Sequence, residues 1–161
     1  MKDTDQLCEF PPGKSESITV AFQDYKSLEY ETFITDHIVD FFVSYLSDNI
    51  LSKREAVHCF SWMFYRRLSE TRSDINSNSA WSKHQRVRKW TKNVNIFKKT
   101  HLVLPIVENK HWYAVIVVNP VLGKPFFVVL DRLNITTGKM SPAITPYHFF
   151  WNFDSFNFHH R

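Results

Sequence analysis

The spacing of apolar residues changes along this chain, and the change divides it into a helical half and a sheet-forming half. In FITDHIVDFFVSYLSDNI, residues Ile38, Phe41, Phe42, Tyr45, Leu46 and Ile50 recur every three or four positions behind Thr35-Asp36, an N-cap signal. The spacing predicts a core helix. Further on, HLVLPIV, HWYAVIVVN and FFVVLDRL are short runs rich in β-branched residues, separated by ENK and by PVLGKP. Such punctuation predicts three successive strands of a small sheet.

Other segments read less regularly. The opening LCEFPPGKSESITV holds a Pro-Pro-Gly turn signal and then a short β-type run, so residues 1–16 read as a tail and Ser17 to Val20 as an edge strand. AVHCFSWMFYRRLSE is dense in aromatics and suits a short buried element of either type, emerging at Arg66 and Arg67. TRSDINSNSAWS reads as a polar loop, and KHQRVRKWTKNVNIF after it as a short basic helix. Residues 134–161 combine prolines with a run of aromatics lacking a clean period, and support no assignment.

Composition narrows the class. A chain of 161 residues with 43% hydrophobic and 16% aromatic residues and only 3 glycines excludes a low-complexity or disordered polymer and suits one packed domain. The 2 cysteines, Cys8 and Cys59, cannot build a disulfide framework, and MKDTDQLCEF has no apolar signal-peptide core, so a reducing compartment is expected. The longest apolar run, WYAVIVV, falls far short of the roughly 20 residues that span a bilayer, and no membrane segment is expected. Asn134-Ile135-Thr136 matches a glycosylation acceptor that matters only in a secreted chain.

The net charge of +4 is unevenly spread. No Asp or Glu occurs from Ile75 through Val107, whereas Lys83, Arg86, Arg88, Lys89, Lys92, Lys98 and Lys99 all lie there. With Trp90 and Phe97 interleaved, the segment raises the possibility of a nucleic-acid surface, where cations meet phosphates and rings stack on bases. A solvated basic face is the commoner outcome of such a run, and no nucleic-acid motif accompanies it. The 8 histidines show no metal-ligand spacing, so neither metal nor cofactor is expected.

Candidate chemistry rests on His111, at the start of one predicted strand, and Asp131, at the end of the next. If these strands pair antiparallel, the two side chains approach. A carboxylate on one ring nitrogen fixes the imidazole tautomer and leaves the other nitrogen to activate a nucleophile. Ordinary strand-edge residues are the competing reading of the same spacing.

The ordered features resemble the Ulp/SENP family of SUMO-specific cysteine proteases. LEYETFITDHIVDFFVSYL is similar to the family's N-terminal helix motif, VRKWTKNVNIFKKTHLVLPIVENKHWYAVIVVNP to its basic Trp-Thr block and His-Trp strand, and VVLDRL to the strand ending in its Asp. The aromatic and basic segments between these blocks resemble the insertion-bearing branch associated with SUMO chains. The resemblance implies an α+β, papain-like fold corresponding to the N-terminal two-thirds of the protease domain, over residues 17–133. It also implies cleavage after Gly-Gly in SUMO conjugates or precursors, a location in the nucleus or in both nucleus and cytoplasm, and a monomer with SUMO as partner.

Residue by residue, the resemblance makes His111 the general base and Asp131 its orienting carboxylate. Trp112 becomes one ring of the tunnel that admits only a Gly-Gly tail, Phe33 stands where many members have the opposing Trp, and Asp36 falls on an acidic position that would pair with an arginine of the modifier. Asp36 also suits a plain helix cap. The departure is downstream, where the family carries an oxyanion-stabilising Gln and the nucleophilic Cys. After Asp131 this chain has neither cysteine nor glutamine. Cys59 sits in apolar, aromatic surroundings that favour packing over reactivity. The expectation is a chain inactive by itself, with a non-catalytic SUMO-binding module as the alternative function.

Overall fold

A computed structural model describes residues 1–15, 17–49, 55–70, 80–120 and 125–132. The chain divides into two compact units, residues 1–54 and the part from residue 55 onward.

In the first unit, β1 (Gln6–Phe10) pairs antiparallel with β2 (Ile18–Ala21) across the Pro-Pro-Gly turn, and helices α1 (Phe22–Lys26) and α2 (Asp36–Asn49) follow. Residues 6–10 therefore form a strand rather than part of a tail. Four of the five β1 positions are exposed, so no apolar alternation marks the strand in the sequence. The helix expected from residue 36 forms, with Asp36 in its first turn, where a carboxylate favours the positive end of the helix dipole. It is not a core helix. None of its described side chains is buried, and Phe42 and Tyr45 are exposed. Its cover in this unit is the hairpin, whose Phe10 meets Phe41 and Tyr45 edge-on at 5.9 and 5.7 Å. One narrow hairpin covers only one flank of an apolar face wider than that contact. Ile50 lies outside the described residues.

Asp24 ties α1 to the start of α2. Its carboxylate is 2% exposed and accepts from the Ala21 N–H at 2.9 Å, closing one half of a capping box. It also accepts from the Thr35 hydroxyl at 2.9 Å and lies 3.3 Å from His37 Nδ1. Ser27 Oγ accepts from the Thr35 N–H, and the Thr32 hydroxyl donates to the Ser27 carbonyl, so the loop that carries Phe33 is fastened at several points.

The second unit is an α+β layer structure. Its sheet has the order β3-β4-β5-β6, from Val57–Cys59, His101–Glu108, His111–Val118 and Phe126–Leu130. β3 runs parallel to β4, and the remaining pairs are antiparallel. The aromatic segment of uncertain type resolves into β3 and helix α3 (Trp62–Ser69), capped by Ser61 Oγ, which accepts from the Met63 N–H. Helix α4 (Ala80–Thr91) begins inside the expected polar loop, at Ala80 to Ser82, and runs on through the basic segment, which continues to a 3₁₀ turn at Ile96–Lys98. Residues 71–79 of the expected polar loop, and 133–161, lie outside the described residues.

Strand alternation builds the core. Leu102, Leu104 and Ile106 of β4 pair across with Val117, Val115 and Tyr113 of β5, one face of the sheet. Phe64, Tyr65 and Leu68 of α3, Val87 of α4, Phe60 and Ile96 complete the cluster. Phe60 and Phe64 stack at 3.8 Å, and burying each ring stabilises the unit by roughly 1.5–3 kcal/mol. Trp90 and Phe97 pack against this core, Trp90 edge-on to Phe64 at 6.3 Å. Two rings read as possible base-stacking surfaces thus belong to the margin of the interior.

Candidate active site

The hairpin joining β4 to β5 turns on Asn109 and Lys110, both with positive φ (50° and 59°), as a two-residue turn of the twist-matching kind requires. Its geometry sets Glu108 opposite His111. On the other side of β5, Ala114 pairs with Leu130, so Asp131, one residue past β6, comes level with Tyr113. Alternation puts His111, Tyr113 and Asp131 on the core-bearing face.

His111 Nε2 and Asp131 Oδ1 are 2.6 Å apart, with side chains 31% and 11% exposed. The antiparallel pairing anticipated from the sequence therefore brings these side chains together. With Nε2–H donated to the carboxylate, Nδ1 holds the lone pair, the arrangement of an imidazole able to take a proton from a second partner. The His111 ring also lies nearly parallel to Tyr113, at 6.2 Å between centroids and 19° between planes.

Two phenols converge on Glu108. The Tyr113 hydroxyl donates to Oε2 at 2.9 Å, and the Tyr65 hydroxyl approaches Oε1 at 3.4 Å. Burial pushes the Tyr65 hydroxyl well above the ordinary phenol range, reinforced by the charge of Glu108 and the hydrogen bond to it. For Tyr113 burial acts first, then the bond to Glu108 and the charges of Glu108, Tyr65 and Asp131, in the same direction. Both remain protonated donors at neutral pH. Sequence reading missed all three residues. Tyr113 was accessible by alternation from His111, and Glu108 by its position across the turn, whereas Tyr65 arrives from α3 and only tertiary packing reveals it.

Trp112 is half-buried and meets Trp62 edge-on at 6.4 Å, and the Arg66 guanidinium lies 5.1 Å over the Trp62 ring. Phe33, 47% exposed, and Asp36 belong to the first unit. Cys59 registers with Val103, which in turn pairs with Ile116. Ile116 lies five residues along β5 from His111, so Cys59 stands roughly 17 Å away along the strands and two strands to the side. That separation is far beyond contact with the imidazole. Cys8 is exposed on β1 in the first unit.

Comparison with known proteins gives one family match: the C-terminal catalytic domain of the Ulp1 protease family, over residues 32–161. Probable ubiquitin-like-specific protease 2A of Arabidopsis thaliana is 36% identical over 113 residues, 69% of this chain and 15% of that protein. Sentrin-specific protease 7 of Homo sapiens is 34% identical over 127 residues, 73% of this chain and 12% of that protein. Among solved structures, a de-sumoylating protease superposes with a TM-score of 0.55 at 34% identity, covering 71% of this chain and 42% of the other. The SUMO protease Ulp1 with its catalytic cysteine oxidized to a sulfinic acid gives 0.56 at 26% identity, covering 76% and 49%. The chain thus spans a small fraction of the curated relatives and under half of the solved chains, and it has the α+β, papain-like fold expected from its motifs.

Proposed function

The chain belongs to the Ulp1 protease family, and on that premise we propose that it carries the base-and-carboxylate half of a SUMO-directed cysteine protease site. The 2.6 Å contact between His111 Nε2 and Asp131 Oδ1 is the observation that supports the reading best. In the complete reaction a thiolate attacks the carbonyl of the terminal glycine, the bond to the lysine amine breaks to leave a glycyl thioester, and water then hydrolyses that thioester to free the thiol. His111 takes the thiol proton at Nδ1 and returns it to the departing lysine amine, while Asp131 stabilises the imidazolium between those steps. In the second unit Trp112 contacts the Gly-Gly tail on this reading, and in the first unit Phe33 and Asp36 are its residues for contact with the modifier, Asp36 through an arginine.

Within these 161 residues the covalent route lacks its nucleophile. No cysteine follows Asp131, and Cys59 is remote from His111 along the sheet. On this reading the 161 residues contribute binding of the modifier together with the base and its carboxylate, and act in the nucleus on SUMO conjugates. The test uses the 161-residue chain and SUMO bearing a thiol-reactive C-terminal electrophile. No adduct is expected, and an adduct that disappears on Cys59→Ser would overturn the non-catalytic reading. Calorimetric titration with SUMO should show binding that weakens in Trp112→Ala and Asp36→Ala. Absence of binding by the unmodified chain removes SUMO as the ligand.

A further inference from the structure

A single hydrogen bond does not fix an imidazole. The contact between Nε2 and Asp131 constrains one ring atom, yet the plane can still tilt about the N···O line and swing Nδ1 away from any nucleophile. Orientation needs a second, non-collinear restraint, and the face of Tyr113 supplies one. The two rings lie 19° from parallel at a 6.2 Å separation, within the range of offset stacking.

Tyr113 is held in turn. Its hydroxyl donates to Glu108 Oε2 at 2.9 Å, a short bond to a charged acceptor, and Glu108 Oε1 faces the Tyr65 hydroxyl at 3.4 Å, a longer and weaker arm. Tyr65 is 6% exposed and sits in the core on α3, so it cannot move without disturbing the packing between helix and sheet. The path runs from the interior of the unit through Tyr65, Glu108 and Tyr113 to the ring of His111. Glu108 and Tyr113 flank the same hairpin turn as His111, which makes the restraint short and stiff. Burial and the adjacent carboxylate keep both phenols as donors throughout the neutral range.

We propose that Tyr65, Glu108 and Tyr113 form a positioning clamp that fixes the plane of His111, so that Asp131 sets which ring nitrogen is protonated and the clamp sets where the other one points. The proposal rests on His111 being the base of the site, but its test reads the imidazole directly and does not depend on cleavage or on SUMO binding.

The experiment is nitrogen-15 NMR of the histidine rings in the 161-residue chain, alone and in Tyr113→Leu, Tyr113→Phe, Glu108→Gln and Tyr65→Phe. The unmodified chain should show one His111 ring species, Nε2-protonated, with close contacts from its ring protons to Tyr113. In Tyr113→Leu and Glu108→Gln a second ring orientation should become populated, its ratio to the first rising about fivefold, the equivalent of a net hydrogen bond of about 1 kcal/mol. Tyr113→Phe, which keeps the stacking face, should fall between, and Tyr65→Phe should give the smallest change. Amide exchange at Leu104 and Val117 checks that the core stays intact. If Tyr113→Leu does not fold, Glu108→Gln and Tyr65→Phe decide, since each alters only polar atoms. An unchanged His111 ring in those two variants overturns the clamp. Failure to bind SUMO with the ring effects present would instead count against the proposed function alone.

Discussion

Replacing Asp24 by Asn should loosen the first unit in a pH-dependent way. The carboxylate is 2% exposed, with two good hydrogen bonds from the Ala21 N–H and the Thr35 hydroxyl, each at 2.9 Å, and a longer approach from His37 at 3.3 Å. A bond to a charged acceptor contributes about 1.5–3 kcal/mol and a neutral one about 0.5–1.5, so neutralising Asp24 removes about 1 kcal/mol from each short bond. Asn also turns one amide edge toward a donor, giving a total loss of about 2–3 kcal/mol.

Burial alone pushes the Asp24 carboxyl upward, but the Ala21 N–H, the Thr35 hydroxyl and His37 outweigh it, and the net shift is below the ordinary value of 3.8. A carboxyl depressed by folding is protonated first in the unfolded chain. Its stabilisation is therefore complete above pH 3.8 and is lost as pH falls through the lower folded value. All 5 tryptophans lie beyond residue 54, so no tryptophan within this unit reports on it. Amide exchange at Ala21 and Val39 does, and near neutral pH Asp24→Asn should lower protection about 30- to 150-fold. Under acid, protection in the unmodified chain should fall toward that of the variant. Parallel profiles for the two proteins across the acid range would refute the reasoning.

Three further outcomes are expected. Lys110→Gly should stabilise the second unit by about 1 kcal/mol, since Lys110 holds a positive φ that glycine adopts without steric cost; a lower unfolding midpoint in urea would contradict this. Phe64→Ala removes a fully buried ring stacked on Phe60 and should cost about 3–5 kcal/mol by tryptophan-monitored urea unfolding, a loss under about 1 kcal/mol being incompatible with its place in the core. Asp131→Asn should abolish the single Nε2-protonated state of His111, with nitrogen-15 NMR as the check and an unaltered tautomer as the contrary result.

How much of this was readable in advance depended on whether a feature arises from one element or from several. β4, β5 and β6 were legible because β-branched alternation and turn residues are properties of each strand alone. The approach of His111 to Asp131 followed from antiparallel pairing, which links the beginning of one strand to the end of the previous or next. β1 was not legible, because an exposed two-stranded ribbon needs no apolar face. The burial of α2 was overestimated because helical spacing reveals which side is apolar but not how much of it finds cover. For Trp90 and Phe97 the sequence left open whether the rings face solvent or interior, since the charges around them in sequence lie around them on a helix and turn whose inner side meets the core.

The same distinction bears on Cys59 and Glu108. By residue type, a cysteine is the better candidate for chemistry beside a histidine, and a glutamate before a turn is unremarkable. Register reverses the ranking. Cys59 is tied through Val103 to Ile116, deep along β5, whereas Glu108 is tied directly to His111 at the sheet's end. Within the sheet, a side chain can act on the imidazole only from the few positions that the ladder brings to that end. Among the described residues of the second unit those positions include two carboxylates, Glu108 and Asp131, and one phenol, Tyr113, groups suited to orienting a base. Any thiol that His111 serves must therefore approach from outside this ladder, toward the nitrogen that Asp131 leaves open.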